Sequence, residues 1–547
     1  MRSTFMGLET ARRGMFTQQS ALYTTGHNIA NANTPGYSRQ RVNFVQTTPY
    51  PSIGMNKPQM PGQMGTGVMA GTIERIRESF LDVQFQNESN KLGYWESKAV
   101  SLDKMEDIMN EPSNNSLAAV MGEFWQSLQD LSVHPEDDGA RSVVIERGQS
   151  VADTFKYLSE SLNQIKSDFG NEISVNIKAV NSLLKQIADV NEQISQVEPH
   201  GYLPNDLYDE RDRLVDELSQ FVNIKVEKKP SGGNALDIAE GSYTIKMVGA
   251  DGSEFFLVNG SDYNNIGIKS DKPAIDTDQD GIPDKPDGKI TGFTVYDVPK
   301  SNEPTKPPVP VYDVPFVAGS EVVFSQGKLK GLVESYGYDV GGTEKGIYPD
   351  MIENLDKLAY SFVSLFNEVH KKGYDLDGAG GKDFFVPLPA GGHKDAAKNI
   401  KLSGITTREL AVSSIPGDGG DGKNAINLSN IQGFVLSDGT VKLEGVSDLD
   451  IASLNLPIKT GTVNSFYEGM TGRLGVESQQ AKRLAGNSEL LLISVDERRQ
   501  SVSAVSLDEE FTNMIKYQHA YNASARNITI VDEMLDKIIN GMGVSGR

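Results

Sequence analysis

Ser506-Leu507-Asp508-Glu509-Glu510-Phe511 opens the last predicted helix of this 547-residue chain, and the spacing that follows it decides the fold. Apolar side chains then recur every seven residues, at Met514, Tyr521, Ile528, Leu535 and Met542. The first helix carries the same spacing, at Leu8, Met15, Leu22 and Ile29. A seven-residue repeat keeps one apolar stripe facing a partner helix, as in coiled coils. We therefore predict that the two ends of the chain pair through these positions, with Phe511 at the start of the contact.

The second core position of the heptads is predicted to be polar on the last helix. Gln518 and Asp532 stand four residues after Met514 and Ile528. Because polar residues at such positions weaken a two-helix contact, we predict that neighbouring copies of the chain complete it. The alternative is that both stripes pack inside one ordinary helical domain, which is the usual use of an amphipathic helix.

Composition and charge exclude several classes of function. The net charge is −22, and no cluster of Lys and Arg forms a phosphate-binding patch, so we predict no nucleic-acid partner. The chain has no cysteine, which excludes disulfides, thiolate catalysis and cysteine-bound metals. No run approaches the roughly 20 apolar residues that span a bilayer, so no membrane insertion is predicted. The N-terminus lacks the apolar segment of a cleavable signal peptide, which leaves the cytoplasm or export by another route.

The order of the predicted elements indicates an α+β multidomain fold with nested domains. Apolar spacings of three and four residues dominate from Arg75 to Glu227, as in a helical bundle. Short strand-like segments separated by Gly, Pro, Asp and Asn follow. We predict a terminal coiled-coil domain of residues 1–36 with 506–547, and a mainly helical domain of 37–225 with 327–373 and 456–505. A β-rich domain is inserted at 226–326 and a second small insert at 374–455.

An acidic stretch in the predicted β-rich insert has the spacing of a calcium loop. Residues 276–287 carry Asp at positions 1, 3, 5, 9 and 12 and Gly at position 6, a pattern that converges oxygen ligands on a hard cation. The candidate ligands are the side chains of Asp276, Asp278, Asp280, Asp284 and Asp287 and the backbone carbonyl of Ile282. The alternative is a solvated acidic turn. Any calcium would be structural, and no other cofactor is predicted.

Catalytic motifs are not recognisable in the sequence. The six histidines are scattered, and none stands in a His-Glu-x-x-His arrangement. We find no nucleophile elbow and no Walker loop. The sequence therefore predicts a protein that is not an enzyme and has no catalytic residues.

The turn after the first helix resembles a known motif. Residues 30–40, Ala-Asn-Ala-Asn-Thr-Pro-Gly-Tyr-Ser-Arg-Gln, resemble the segment that closes the first helix of bacterial flagellar axial proteins, the family of rod, hook and hook-associated proteins. Residues 507–511, 517–526 and 531–535 are similar to the family's C-terminal helix. The strong motifs cover roughly the first 45 and the last 45 residues, with weaker likeness through the helical middle.

The resemblance implies a structural protein of the bacterial flagellum whose paired terminal helices lie in the core of a tubular assembly. Within the family, Ser38-Arg39-Gln40 and the chain length favour the member that joins hook to filament over a rod protein. The Asn-Thr-Pro-Gly-Tyr turn at 33–37 disfavours flagellin. The alternatives are another axial protein of hook or rod type, or a secreted adhesin or enzyme carried in the 226–326 insert, where no family motif is found.

The resemblance also implies location and partners. The protein would be exported through the flagellar secretion apparatus without a cleaved signal peptide and would lie outside the cell. It would assemble with itself in a ring-like layer, with hook protein on one side and hook-associated protein 3 on the other. An export chaperone would bind the C-terminal helix before secretion. In this picture, the ten stripe positions from Leu8 to Met542 are the assembly interface.

Overall fold

The computed structural model describes residues 5–51, 54–55, 62–109, 116–298, 307–319, 321–389, 392–437 and 439–541. Met542 of the predicted stripe lies outside these residues. The helices are α1 (Phe5–Ala30), α2 (Ser79–Met109), α3 (Leu117–Val133), α4 (Asp138–Val197), α5 (Asn205–Phe221), α6 (Lys328–Tyr336), α7 (Ile347–Lys372), α8 (Ala396–Asn399), α9 (Lys423–Asn430), α10 (Val463–Ser503) and α11 (Leu507–Gly541). Within the described ranges, no helix is long and apolar enough to cross a membrane.

The strands of the described residues are short, and most lie between α5 and α7. They are β1 (Gln40–Gln46), β2 (Val68–Arg75), β3 (Ile224–Lys229), β4 (Ser242–Val248), β5 (Glu254–Asn259), β6 (Asp262–Ser270), β7 (Ile290–Asp297), β8 (Val309–Pro315), β9 (Val317–Ala318), β10 (Glu321–Val322), β11 (Tyr338–Val340), β12 (Thr343–Lys345), β13 (Thr440–Val441) and β14 (Leu449–Asp450). The chain is therefore an α+β protein of several parts, as predicted.

Helix α4 is the central axis of the fold. It runs for 60 residues, or about 90 Å at the rise of an α-helix. Asp137 caps its start by accepting a hydrogen bond from the Gly139 N–H, and buried apolar side chains then follow at three- and four-residue spacing. Pro199 and the left-handed Gly201 stop the helix. Helices α3, α5, α6 and α7 and the large sheet pack along its length.

The large sheet has the strand order β12-β11-β7-β6-β5-β4-β3, with β8 also paired to β7. Two amides of α4 bind its backbone. Asn191 accepts from the Tyr243 N–H and donates to the Tyr243 carbonyl, and Asn181 exchanges two hydrogen bonds with Ile266 in the same way. The predicted boundary of the insert at residue 326 does not coincide with the end of the sheet. Tyr338 of β11 pairs with Ile290 of β7, so two strands of the predicted helical part belong to the sheet.

One apolar core joins the helices, the sheet and the second insert. The buried apolar cluster runs from Ala99 to Ala481 and contains residues of all three. Its centre is a group of rings in which Phe124 contacts Trp125, Phe362, Phe366 and Phe384. We call residues 79–503 the body, because the predicted helical domain and both inserts share this core.

The hairpin β1–β2 packs on α1 rather than on the body's core. Thr17 of α1 donates to the Val68 carbonyl, and Asn28 exchanges two hydrogen bonds with the backbone of Gln40. The predicted boundary at residue 36 therefore separates two elements that pack together. We call α1, β1, β2 and α11 the terminal module. The hairpin lies there because polar side chains on one face of α1 satisfy its backbone.

Candidate assembly interface

The two terminal helices pack against each other in antiparallel orientation. A Cβ atom added at Gly7 would lie 3.7 Å from Val531 Cγ2, and one at Gly14 would lie 3.1 Å from Ser524 Oγ. Seven residues forward along α1 thus correspond to seven residues back along α11. Ala21 continues this row and is buried. Because the row consists of Gly, Gly and Ala, the two helix backbones approach closely.

The predicted stripe residues of α1 stand one position away from this row. Leu8, Met15, Leu22 and Ile29 are half-buried, and the first three stand one residue after the contact row at 7, 14 and 21. The apolar pattern did not reveal the row itself, because glycine has no side chain and alanine has only a methyl group. The signal that was available is the seven-residue spacing of Gly7, Gly14 and Ala21.

On α11 the predicted residues Met514, Tyr521, Ile528 and Leu535 are half-buried. The prediction for the second heptad position was wrong, since Gln518 and Asp532 are exposed. That position stands three residues on instead of four, and Tyr517, Ser524 and Val531 fill it. Tyr517 packs edge-to-face on Phe44 of the hairpin, with ring centroids 5.9 Å apart. The small side chain of Ser524 allows the close approach of α1 at Gly14.

The turn with the axial-protein motif closes the base of the helix pair. Arg39 places Nε 2.7 Å from Glu510 Oε1 and Nη1 2.5 Å from Glu509 Oε2, and its backbone N–H donates to the Ser503 carbonyl. The side chain of Glu510 is 3% exposed, so this ion pair is largely screened from water. Gly36 takes a left-handed φ of 81°, which favours glycine. The motif therefore ties the end of α1 to the start of α11.

A tyrosine of the same motif is held by hydrogen bonds to α1. The Tyr37 hydroxyl donates to Asn28 Oδ1 over 2.8 Å and lies 3.0 Å from His27 Nδ1. Burial raises the pKa of Tyr37, and the nearby carboxylates Asp206, Asp209 and Glu510 raise it further. The hydroxyl therefore stays protonated and remains a donor at physiological pH.

Large apolar side chains on the terminal module also point into solvent. We call four of those on α11 the outer residues: Phe511, Ile515, Ile530 and Met534, each close to half exposed or more. On α1, Phe16 and Tyr23 are 55% and 79% exposed. Of the predicted interface, Phe511 lies here and not in the helix pair. Several large exposed apolar side chains on one pair of helices indicate a surface for contact with another molecule.

The structure brings together three of the five carboxylates predicted as calcium ligands. Oxygen atoms of Asp276, Asp278 and Asp280 lie within 4.8 Å of one another. Asp284 instead places Oδ2 3.0 Å from Nζ of Lys178, a residue of α4, and the same ammonium group lies 3.1 Å from Asp278 Oδ2. Asp287 faces Lys272, 4.0 Å away, and the Ile282 side chain is buried.

The charges of this loop are partly compensated. Burial raises the pKa of Asp280, and the neighbouring Asp278 and Asp276 raise it further. Hydrogen bonds to Asp284 and Asp278 raise the pKa of Lys178, so the lysine is fully charged. Asp276 accepts from the backbone N–H groups of Gln279 and Gly281. The cluster can accept a cation, and a lysine already stands beside it.

Residues 102–385 match the family model described as the flagellar hook-associated protein FlgK helical domain. Flagellar hook-associated protein 1 of Bacillus subtilis (strain 168) is 42% identical over 557 aligned residues, which cover 100% of both chains. The chain belongs to the flagellar hook-associated protein 1 family. Relatives of the same name in Salmonella typhimurium (strain LT2) and Escherichia coli (strain K12) are 26% and 24% identical, each over 97% of this chain and 98% and 99% of their own.

Both ends of the chain match models of the wider axial family. Residues 8–37 match the flagella basal body rod protein model, and 498–541 match the flagellar basal body rod FlgEFG protein C-terminal model. The fold is similar to the solved structure of the flagellar hook junction protein FlgK from Burkholderia pseudomallei. Their TM-score is 0.52 at 14% identity, and the match covers 78% of this chain and 100% of that one.

The family resemblance predicted from the two end motifs is confirmed. As a hook-associated protein 1, the protein is a structural component of the bacterial flagellum at the hook–filament junction. The match over 102–385 also covers the β-rich insert, where the sequence showed no family motif. The part played by individual interface and loop residues stays a prediction.

Proposed function

We propose that the protein joins hook to filament by assembling with its own copies through the terminal module. In this proposal α1 and α11 act as a short coiled coil, and the outer residues contact neighbouring subunits. The observation that carries it is the two-sided use of α11. One side of α11, with Ser524 and Val531, packs on α1, while Phe511, Ile515 and Met534 remain at least half exposed.

The composition of the contact between α1 and α11 explains why the pair would need neighbouring subunits. The closest contacts, at Gly7, Gly14 and Ser524, add little apolar area, and the apolar stripe residues of both helices stay only half-buried. Burial stabilises by about 25 cal/mol per Å² of apolar surface. The exposed side chains supply that area only when a second copy covers them. Isolated helix pairs of this kind are marginal in water, which couples ordering of the ends to assembly.

The same exposed surface supports the proposed partners. Hook protein and hook-associated protein 3 would meet the terminal module on opposite sides of the layer. Before export, the apolar side of α11 would lie in a groove of a chaperone, as amphipathic helices do. We propose export without a cleaved signal peptide, an extracellular position, and a purely structural role without catalysis.

Substitution of outer residues by aspartate is expected to abolish junction formation. Ile515→Asp with Met534→Asp places two charges where apolar contact with a neighbour is proposed, while neither residue belongs to the body's core. Swimming of a host strain lacking its own copy should be lost. The thermal midpoint of the purified variant should change little. Ile515→Leu with Met534→Leu is the matched control and should swim. Normal swimming of the aspartate variant would contradict the proposal.

We further propose that the loop of Asp276, Asp278 and Asp280 binds calcium in competition with Lys178. The support is the convergence of their carboxylates and the oxygen chemistry that calcium prefers. At a free concentration ten times the Kd, bound calcium would add about 1.4 kcal/mol of stability. Removal of the competing ammonium group should tighten binding.

Calcium titration of thermal midpoints checks this. The wild-type thermal midpoint is expected to rise at millimolar calcium. Asp278→Ala should remove this rise, and Lys178→Met should show the same rise at a lower calcium concentration. Lys185→Met, an exposed lysine on the same helix, is the control and should behave as wild type. A midpoint that calcium leaves unchanged in both wild type and Lys178→Met would mean that the loop is a solvated acidic turn.

A further inference from the structure

Helix α5 carries an acidic stripe whose middle residues are buried. Asp206, Asp209, Asp212 and Asp216 are spaced three, three and four residues apart, so they share one side of the helix. Asp209 and Asp212 are 7% and 6% exposed. Carboxylates are rarely this buried unless they are paired. The partners of the stripe come from outside α5.

The first partner is Arg75, the last residue of the hairpin. Its Nη1 lies 2.6 Å from Asp209 Oδ1 and 2.9 Å from Asp212 Oδ2. Its Nη2 lies 2.6 Å from Glu240 Oε1. The side chain of Arg75 is 4% exposed. One planar guanidinium group therefore holds three carboxylates of the body in a fixed geometry.

The turn between α1 and β1 and the two chain connections between the terminal module and the body are held at the same place. Ser38, between α1 and β1, donates its backbone N–H to Asp209 Oδ2 over 3.0 Å. Arg77, between β2 and α2, lies 3.2 Å from Asp212 and binds Asp82 through two hydrogen bonds. Arg499, near the end of α10, pairs with Asp216. The turn and both connections thus meet one face of α5.

Asp212, at the middle of the stripe, stays ionised in spite of its burial, whereas burial raises the pKa of Asp209 and Asp216 even beside their arginine partners. Burial alone would raise the pKa of Asp212, but Arg77, Arg75 and Arg211 outweigh it and hold that pKa below its usual range. The Tyr243 hydroxyl adds a hydrogen bond of 2.8 Å to Asp212. Buried charges of this kind must keep their partners, because separation leaves an uncompensated charge in a poorly solvated place.

Apolar packing contributes little to the orientation of the two parts. The buried apolar cluster of the described residues, from Ala99 to Ala481, lies wholly in the body. Beside the connections is a cavity of about 500 Å³, lined by residues 32–38, Phe85, Arg213 and the end of α10. The orientation of the terminal module is therefore not set by an apolar core.

We propose that the acidic stripe of α5 is a rigid coupling that fixes the orientation of the terminal module relative to the body. One helix holds both chain connections and the turn between α1 and β1, so the subunit behaves as one rigid unit across them. In the flagellum this would set the direction in which the body projects from the axis. That consequence rests on the proposed function, whereas the coupling itself is a property of the free chain.

Spin-label distances across the connections test the coupling. The chain has no cysteine, so Met69→Cys on the hairpin and Glu192→Cys on α4, both exposed, give one clean label pair. The full-length chain is expected to show one narrow distance distribution. Arg75→Met should broaden it at least twofold. Arg147→Met removes an exposed ion pair with Glu123 and should leave it unchanged.

A second variant guards against damage to the body. Arg75→Met with Asp209→Asn removes the link without leaving Asp209 as an unpaired charge, and Asp212 keeps Arg77 and Tyr243. It should broaden the distribution while the thermal midpoint of the body is retained. A narrow distribution in this double variant, or a broad one in the wild type, would overturn the coupling. Neither distance measurement depends on assembly. A swimming assay tests the proposed function separately, so its failure is distinguishable from failure of the coupling.

Discussion

Replacement of Gly14 by leucine is expected to force α1 and α11 apart and abolish junction assembly. Even a bare Cβ at this position lies 3.1 Å from Ser524 Oγ, and leucine adds three further carbons. Overpacking of a close contact costs about 1–3 kcal/mol, and no apolar core behind the pair absorbs it. Swimming and filament number in a host strain lacking its own copy measure the outcome, and both should fall to the level of the deletion.

Gly26→Leu on the same helix is the matched control. A Cβ at Gly26 meets nothing within 4 Å. Both substitutions raise helix propensity by about 1 kcal/mol, so a difference between them isolates the contact with α11. We expect near-normal swimming for Gly26→Leu. Equal swimming of the two variants would show that close approach of the helices is not needed for assembly.

Acidification is expected to destabilise the body through His370, a fully buried residue of α7. Its Nδ1 faces the Lys382 carbonyl, and its Nε2 accepts the Ala411 N–H over 2.9 Å. The ring is therefore neutral in the fold. Burial lowers the pKa of His370 from 6.5 to about 4. Between these values the unfolded chain binds a proton that the folded chain does not, so stability falls as the pH falls, by roughly 3 kcal/mol in total.

Chemical unfolding from pH 7 to pH 4 measures this contribution. Carboxylates titrate in the same pH range, so the comparison is between the slopes of unfolding free energy against pH. His370→Gln is expected to lose the histidine part of the slope, even though its stability at pH 7 is lower. His200→Gln, at an exposed position, should keep the wild-type slope. Identical slopes for wild type and His370→Gln would show that the histidine does not titrate on unfolding.

Much of the architecture is readable from local patterns. The three- and four-residue spacing predicted the long helices, and the shift to short Gly- and Pro-bounded segments predicted the inserted sheet. The boundaries at 36 and 326 fail for one reason. Both depend on contacts between separate elements, because Thr17 of α1 meets Val68 of the hairpin and Tyr338 meets Ile290 only in the fold.

The assembly interface was predicted in part. The half-burial of Met514, Tyr521, Ile528 and Leu535 agrees with their apolar spacing, but the contact row of α1 is formed by glycine and alanine, which have little or no side chain. For the acidic loop, the spacing indicated six ligands. Lys178, about 100 positions earlier in the sequence, forms ion pairs with two of them, Asp284 and Asp278.

The sequence by itself determined that the ends carry matched seven-residue stripes, that no disulfide supports the fold, and that both end motifs belong to flagellar axial proteins. These are local properties, because side-chain period and motif spacing need no distant residue. Only the tertiary structure decided that Gly7 and Gly14 face α11, and that one stripe of α5 collects Arg75, Arg77 and Arg499. Close approach and charge pairing depend on segments hundreds of residues apart, and their partners become neighbours only when the chain has folded.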